Sequence, residues 1–192
     1  FTHIIDSAGE YFQYNKYHPQ LLGMILERAT GNTVTGYLQD ELWDPLGMEF
    51  GGSWSMDSEQ SGFEKMEAGI NARAIDFAKL GRLYLENGNW DGVQVIPSEW
   101  VAESTQVDRA IHQASYYPGA QAFYDSGGYY QYMWWGFSKS NSSYDFAAQG
   151  DRGQYIYVSP QKNLLIIRNG LSYGDVDWIK LFGDFAGEIT KP

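Results

Sequence analysis

The hydrophobic pattern changes its period about halfway along the chain, and this change constrains the fold more than any other feature. Apolar residues first recur at helical spacing, then form short apolar and aromatic runs typical of strands, and a last helical stripe follows. Helices followed by antiparallel strands and a covering helix predict an α+β fold. We expect residues 1–105 to belong to a helical region and residues 106–192 to carry the sheet, as two parts of one domain.

Short end signals mark the first two predicted helices. Pro19 suits the first turn of a helix that Gly31 ends in a left-handed conformation. Thr33 is placed to cap a second helix, which runs to about Leu42. The apolar stripe of the first helix is formed by Leu21, Leu22, Ile25, Leu26 and Ala29.

Two more helices are predicted before residue 106. Asn71 is expected to cap the third helix, and the pair Asn87-Gly88 ends it. Pro97 opens a short fourth helix, because its fixed φ angle suits a first turn. Residues 106–128 show no hydrophobic period, and so we expect a long loop, which is a candidate for one wall of a functional site.

The second half predicts three strands and a final helix. The strands are expected at residues 130–137, 154–159 and 164–169, and Pro160 begins a hairpin turn between the last two. The final helix needs a sheet beneath its apolar face. That face is predicted to hold Val176, Ile179, Phe182, Phe185 or Ala186, and Ile189.

Charge and hydropathy exclude several classes of function. The formal net charge is −11 and the sequence pI about 4.5. An acidic chain without a basic patch is repelled by phosphate backbones, and so we expect no nucleic-acid partner. The longest apolar runs are far too short to span a bilayer. The first residues have neither a charged start, nor an apolar run, nor an initiator Met, and so we expect the chain to begin inside a longer protein.

Metal and thiol chemistry are not expected. The chain has no cysteine, which excludes disulfides, thiol catalysis and cysteine-based metal sites. The three histidines, His3, His18 and His112, lie far apart and in no metal-ligand spacing. Each is expected at the surface or at a helix end. No metal site is therefore predicted.

Several segments resemble one family in the order in which that family carries them. The matching segments are FQYNK at 12–16, LLG at 21–23, PLGM at 45–48, AGINARAIDFAKLG at 68–81, NWDG at 89–92, PSEWV at 97–101, YMWWG at 132–136 and GDRGQYIYV at 150–158. The resemblance is to the serine hydrolases related to β-lactamases and penicillin-binding proteins, which include class C β-lactamases, D-amino-acid peptidases, esterases and nylon-oligomer hydrolases. It implies the C-terminal part of a β-lactamase/transpeptidase-like fold, with residues 1–105 and 106–192 as parts of one catalytic domain.

The resemblance assigns a catalytic role to the loop before the first helix. Three motifs carry the family's chemistry, and the second, a Tyr-x-Asn, falls on Tyr14-Asn15-Lys16. Tyr14 is therefore expected to relay a proton between the nucleophile and the leaving group. Lys16 stands where the family usually has Asn. Lys16 either binds an anionic substrate group, or holds the Tyr14 oxygen partly anionic, or is a solvated loop lysine.

The third motif falls on Asp151-Arg152-Gly153, and the N–H of Gln154 is then expected to complete an oxyanion hole. Asp151 departs from the usual cation, and Arg152 either restores a positive group or pairs with Asp151. A side chain at Gly153 would block close approach of substrate to the strand.

Aromatic residues are unusually frequent, with seven Trp, fifteen Tyr and ten Phe. Such side chains suit both deep cores and the walls of clefts. Trp134 is expected to contribute to the substrate cleft together with Trp135, or else one of the two faces the core. An aromatic wall also leaves open a non-catalytic module that binds peptidoglycan peptides or glycans.

The first family motif, a Ser-x-x-Lys, is expected upstream of this chain. One formal match occurs, Ser159-Pro160-Gln161-Lys162, but a Pro in a strand turn keeps Ser and Lys off a common helix face. We therefore expect this chain alone to be inactive. The resemblance implies an ester or amide substrate, either a small molecule or a peptide, cleaved through an acyl-serine intermediate. It implies no metal and no organic cofactor. It also implies a periplasmic or secreted protein whose N-terminal complement, or a second copy, covers the incomplete sheet.

Overall fold

The computed structural model describes residues 9–108, 110–140 and 143–189. Six helices occur in this part of the chain: α1 Tyr17–Thr30, α2 Val34–Leu38, α3 Ala74–Leu85, α4 Ser98–Thr105, α5 Gln121–Asp125 and α6 Trp178–Glu188. The nine strands are β1 Ser53–Trp54, β2 Ile70–Asn71, β3 Asn89–Trp90, β4 Val93–Gln94, β5 Gly128–Gln131, β6 Trp134–Ser140, β7 Ser143–Gly150, β8 Gln154–Ser159 and β9 Leu164–Arg168. The α+β fold predicted from the sequence is confirmed.

Local end signals fix the first two helices as predicted. Gly31 ends α1 with φ 72°, and its N–H donates to the carbonyl of Glu27. The hydroxyl of Thr33 accepts the N–H of Gly36 at 3.0 Å and so caps α2. A π-helical turn, Gln39–Trp43, continues α2 to the predicted end.

The start of α3 differs from the prediction. Arg73 occupies the N-cap position, whereas Asn71 lies in β2 and donates its side-chain amide to the carbonyl of Gly69. The buried carboxylate of Asp76 lies in the first turn of α3, where it accepts the N–H of Glu49 at 2.7 Å. The predicted cap at Asn71 is therefore wrong, because that residue pairs across a short ribbon instead.

The second half of the chain forms one five-stranded antiparallel sheet in the order β5-β6-β7-β8-β9. Residues 130–137 were expected as one strand, but the chain reverses at Tyr132 and Met133, whose φ angles are 44° and 71°. This turn pairs Tyr130 with Trp135 and Gln131 with Trp134. The prediction of a single strand is therefore wrong. The turn carries no sequence signal, because neither turn residue belongs to the types that usually adopt positive φ.

Strand β7 was not predicted. Its centre carries Asp145, which is buried, pairs with Lys139 Nζ at 2.5 Å and accepts the hydroxyl of Tyr157. A carboxylate in the middle of a strand gives no alternation of apolar and polar residues. It is tolerated because both partners come from the neighbouring strands β6 and β8.

Helix α3 covers one face of the sheet. Trp134, Phe146, Ile156 and Val158 form a buried cluster on that face, against which Phe77 and Leu80 of α3 pack. Gly81 lets the helix approach closely, because a Cβ at this position would overlap Leu165 and lie 2.9 Å from Ile156 Cγ2.

Helix α6 covers the opposite face. Its buried residues Phe182 and Ala186 pack on Ala147, Tyr155 and Tyr157. Asp177 caps the helix by accepting the N–H of Lys180 at 3.0 Å.

The apolar stripe predicted for the final helix is confirmed in part. Ile179 also packs on this sheet face, as predicted. Val176 precedes the helix and Ile189 follows its last residue, while Phe185 is exposed. Among the described residues, no helix has the length and apolar character needed to cross a membrane.

Candidate active site

The loop that carries Tyr14 is fixed at one end by a backbone hydrogen bond and at the other by the side chain of Asn15. The N–H of Phe12 donates to the carbonyl of Tyr116 at 2.6 Å. Asn15 Oδ1 accepts the N–H groups of Tyr17 and His18, each at 3.0 Å, and so satisfies the open start of α1. The loop therefore presents Tyr14 between two anchored points.

Tyr14 lies against the first two strands of the sheet. Its ring centroid is 5.6 Å from that of Tyr130 in an edge-to-face arrangement, and 5.4 Å from that of Trp135. We name Phe12, Tyr14, Phe123, Tyr130 and Trp135 the aromatic wall. Edge contacts of this kind hold rings in fixed orientations without hydrogen bonds. The Tyr14 side chain nevertheless keeps 59% of its surface exposed and can meet a ligand.

The phenol beside Tyr14 remains protonated at ordinary pH. Burial, and secondarily the neighbouring Tyr14, raise the pKa of Tyr130 to about 12. Tyr130 therefore supplies a neutral, half-buried surface next to Tyr14.

A buried polar network lies behind the aromatic wall. Tyr117 is fully buried, its oxygen accepts the N–H of Tyr130 at 3.0 Å, and its hydroxyl lies 2.5 Å from His112 Nδ1. His112 Nε2 donates to Gln131 Oε1 at 2.8 Å, because the amide of Gln131 donates in turn to the carbonyl of Glu103.

The expectation that His112 lies at the surface or a helix end is therefore wrong. Its partners come from β5 and from the segment before α5, and no local sequence pattern shows such a network. Residues 106–128 also hold a 3-10 turn, Ala114–Tyr116, as well as α5, and are not the aperiodic loop that was expected.

The third predicted motif forms the turn between β7 and β8. Gly150 pairs with Gln154, and Arg152 and Gly153 turn the chain with φ angles of 60° and 79°. The carboxylate of Asp151 accepts the N–H of Arg152 at 2.9 Å, which stabilises the turn. Asp151 and Arg152 are exposed, and Gly153 is buried.

The structure gives Gly153 and Gln154 defined partners. Glycine is required at position 153 by its positive φ, and because a Cβ there would lie 2.5 Å from Arg168 Nη1. The side-chain amide of Gln154 donates to the carbonyl of Gly170 at 2.5 Å and accepts its N–H at 2.9 Å. This amide side chain ties β8 to the segment that follows β9.

The two neighbouring tryptophans have separate surroundings. Trp134 is only 7% exposed and packs in the core against Tyr84 and Phe146. Trp134 is therefore not placed to contact substrate beside Tyr14, which corrects the expectation for that residue. Trp135 points to the other face of the sheet and belongs to the aromatic wall.

The predicted residues form two groups. Tyr14 contacts Trp135, which pairs with Ala147 of β7, whereas the turn begins at Gly150 of the same strand. Three residues of strand separate these points by roughly 10 Å. Lys16 is exposed at the N-cap of α1, next to the first group. The part of the chain that the structure describes holds no cluster of three or more His, Asp or Glu placed for a metal ion.

Comparison with known proteins places the chain in a family. The family model described as beta-lactamase matches residues 2–169, most of the chain. The chain therefore belongs to the beta-lactamase family.

Two similar proteins are named for the same activity. The 6-aminohexanoate-dimer hydrolase of Paenarthrobacter ureafaciens is 27% identical over 163 residues, which are 85% of this chain and 40% of that protein. A Bacillus anthracis structure assigned as a 6-aminohexanoate-dimer hydrolase superposes with a TM-score of 0.78 at 26% identity, over 93% of this chain and 44% of the other.

A third protein shows the fold alone. A Bacteroides dorei structure assigned as a beta-lactamase has a TM-score of 0.65 at 15% identity, over 91% of this chain and 55% of its own. This chain thus spans about two-fifths to just over half the length of the proteins it matches.

Proposed function

We propose that this chain is the C-terminal portion of a serine hydrolase that cleaves an ester or amide bond through an acyl-serine intermediate. The observation that supports the proposal best is Tyr14, which is half exposed, anchored by its loop and set on an aromatic wall. The family resemblance assigns this tyrosine to proton transfer. Residues 1–105 and 106–192 are proposed as two parts of one catalytic domain, which the packing of α3 on the sheet supports.

In the proposed reaction, the nucleophile comes from a Ser-x-x-Lys outside this chain. The serine oxygen attacks the carbonyl carbon while the lysine takes its proton, and the negative charge of the tetrahedral intermediate is held by the N–H of Gln154. Tyr14 then gives its proton to the leaving amine or alcohol as the bond from that group to carbon breaks, and it receives in exchange the proton that the lysine took from the serine. A water molecule then attacks the acyl carbon and loses a proton, the bond from carbon to the serine oxygen breaks, and that proton returns to the serine oxygen, which frees the serine and the acid.

The proposed substrate is an amide or ester flanked by apolar chain. The two similar proteins are named for hydrolysis of a 6-aminohexanoate dimer, in which an amide joins aliphatic segments. The aromatic wall offers an apolar surface to such a segment. Lys16 beside Tyr14 and Arg152 in the β7–β8 turn are exposed cations, and we propose that one of them binds a carboxylate of the substrate.

The proposal is tested by Tyr14→Phe in the complete protein. Loss of a positioned proton-transfer group is expected to lower kcat by about 10²–10⁴, with little change in KM. Tyr17→Phe is the matched control, since Tyr17 is exposed three residues further on and has no proposed role. A Tyr14→Phe enzyme with normal kcat on a 6-aminohexanoate dimer and on p-nitrophenyl esters would remove Tyr14 from the mechanism.

The chain alone is expected to hydrolyse neither p-nitrophenyl esters nor nitrocefin, because it holds no activated nucleophile of the family type. Turnover that a serine-directed phosphonate abolishes would contradict this and require a serine within the chain. A complete protein that lacks any Ser-x-x-Lys but retains peptidoglycan peptides or glycans would favour the binding module, which the exposed face of the aromatic wall also suits.

We further propose that the partner of this chain is the N-terminal complement of the same fold, or failing that a second copy. Leu21, Leu22, Met24 and Ile25 of α1 are each about half exposed, and β5 and β9 are edge strands. Sedimentation and hydrogen exchange on the 192-residue chain test this proposal. A monomer with strongly protected amides in every strand of the sheet would contradict it.

A further inference from the structure

Arg168, the last residue of β9, binds the turn that carries the predicted oxyanion donor. Its Nη1 donates to the carbonyl of Gly153, and its Nη2 donates to the carbonyl of Ser172 at 3.0 Å. The guanidinium lies over the ring of Trp178, 3.9 Å from its centroid. The planar fork is thus held on one face by an aromatic ring and at both nitrogens by carbonyl groups.

Two glycines make room for this guanidinium. A Cβ at Gly153 would lie 2.5 Å from Nη1, and one at Gly170 would overlap the same atom. Gly153 also needs its positive φ, but Gly170 has no such requirement. The space around Arg168 is therefore built for a large planar cation.

Further contacts fix the turn to the segment that follows β9. The Gln154 amide holds both the N–H and the carbonyl of Gly170. The hydroxyl of Tyr173 donates to the carbonyl of Gly150 at 3.3 Å, and Trp178 Nε1 donates to the carbonyl of Tyr173 at 2.6 Å. The ring that stacks on Arg168 is thus itself held in place by this segment.

The carbonyl of Gly153 and the N–H of Gln154 belong to one peptide group. That group is planar and trans, so its C=O and N–H point in opposite directions, and fixing the oxygen fixes the direction of the N–H. A charged donor at the carbonyl oxygen also polarises the peptide, which strengthens the N–H as a donor on the other side.

We propose that Arg168 is a positioning residue for oxyanion stabilisation. Through the Gly153–Gln154 peptide, it orients the N–H of Gln154 and strengthens this N–H as a hydrogen-bond donor. The inference rests on the proposed function, in which the N–H of Gln154 faces the developing negative charge. Trp178 contributes by keeping the guanidinium flat against the turn.

The test uses the complete enzyme with Arg168→Lys and Arg168→Met. Deleting an oxyanion donor outright costs about 10²–10³ in kcat, and so loss of its orientation is expected to cost about 10–10² with KM nearly unchanged. Arg168→Lys, which keeps one cationic donor, is expected to lose less than Arg168→Met. Arg82→Met is the matched control, because Arg82 also stacks on a tryptophan, Trp90, and binds Asp91, but lies away from the turn.

A second readout separates positioning from a general loss of structure. A boronic acid that forms a tetrahedral anion on the nucleophile should bind Arg168→Met about 10–10² weaker, while a ground-state product should bind as before. In the intact protein, the amide proton of Gln154 should also move upfield, since its peptide is no longer polarised. Variants that melt earlier but keep kcat, boronate affinity and the Gln154 resonance would overturn the proposal.

Failure of the proposed function has a different signature. If the complete protein with native Arg168 shows no hydrolysis and no boronate adduct, the serine hydrolase assignment fails. An unchanged Gln154 resonance in Arg168→Met would then overturn the positioning role as well, because polarisation of that peptide does not require catalysis.

Discussion

The five-stranded sheet and helix α1 bury their apolar residues to very different degrees. The sheet is covered by α3 on one face and α6 on the other, and residues such as Val158, Ala147 and Phe146 are fully buried. In α1, the side that packs is centred on Gly23, where a Cβ would lie 2.5 Å from Met66 Cγ. Gln20 holds the same side by accepting the N–H of Met66 and donating to the carbonyl of Glu64.

The opposite side of α1 shows what this difference means. Leu21, Leu22 and Ile25, the residues whose spacing predicts the helix, are each more than half exposed. A hydrophobic stripe therefore identifies a helix but does not say which surface covers it. The sheet holds its own covering elements within this chain, whereas α1 presents its stripe outward.

The largest expected effect is a difference in unfolding free energy between two substitutions, one from each region. Phe182→Ala removes a buried ring between α6 and the sheet and is expected to lower the free energy of unfolding by about 3–5 kcal/mol. Leu22→Ala in the same chain is expected to change it by less than about 0.5 kcal/mol, because Leu22 is exposed. Urea unfolding measures both.

The same two substitutions are also compared in the complete protein. If the N-terminal complement covers α1, Leu22→Ala there should cost about 2–5 kcal/mol. Equal, small costs for Leu22→Ala in the chain and in the complete protein would show that the stripe stays uncovered.

A second prediction compares two helical glycines. Gly81→Ala in α3 forces a methyl group against Leu165 and Ile156, and the expected loss is about 1–3 kcal/mol despite the better helix propensity of Ala. Gly183→Ala in α6 meets only the Tyr157 hydroxyl at 3.9 Å and should stabilise the protein by about 0.5–1 kcal/mol. Thermal melts of both variants decide the point, and a stabilised Gly81→Ala protein would show that α3 does not lie this close to the sheet.

A smaller effect is expected at the start of α2. Thr33→Ala removes the hydroxyl that accepts the N–H of Gly36 and should cost about 1 kcal/mol. Thr33→Ser keeps the hydroxyl and serves as the control. Equal unfolding midpoints for Ala and Ser at this position would mean that the cap is not formed in solution.

The smallest expected effect concerns the pKa of Tyr130. The pKa of Tyr130 is raised to about 12 in the folded protein, above its ordinary value of about 10. The free energy of unfolding is therefore unaffected by this group below pH 10 and falls as the pH rises from about 10 to 12, because the unfolded chain ionises Tyr130 first. Tyr14→Phe should lower the pKa of Tyr130 slightly, because the neighbouring phenol contributes to the shift. Absorbance titration of tyrosinate follows both steps, and a Tyr130 that ionises near pH 10 would show that the aromatic wall is open.

The sequence also predicted part of the candidate site. It singled out Tyr14 and the Asp151–Gly153 turn through the resemblance, and the structure gives each a defined setting. It did not reveal the buried His112–Tyr117 pair or the contact of Arg168 with Gly153, since these partners are five to fifteen residues apart and follow no period. Which of Trp134 and Trp135 faces the core was likewise open until the strand register was known.

Local chemistry explains what the sequence determined by itself. Gly31, Thr33, Asn87 and Gly88 set backbone angles or satisfy helix ends within a few residues, and their elements lie where they were predicted. The tertiary structure alone decided β7, because Asp145 is accepted in a strand only once Lys139 and Tyr157 stand beside it. It also decided the reversal at Tyr132 and Met133, since pairing of β5 with β6 compensates for two left-handed residues that no turn signal marks.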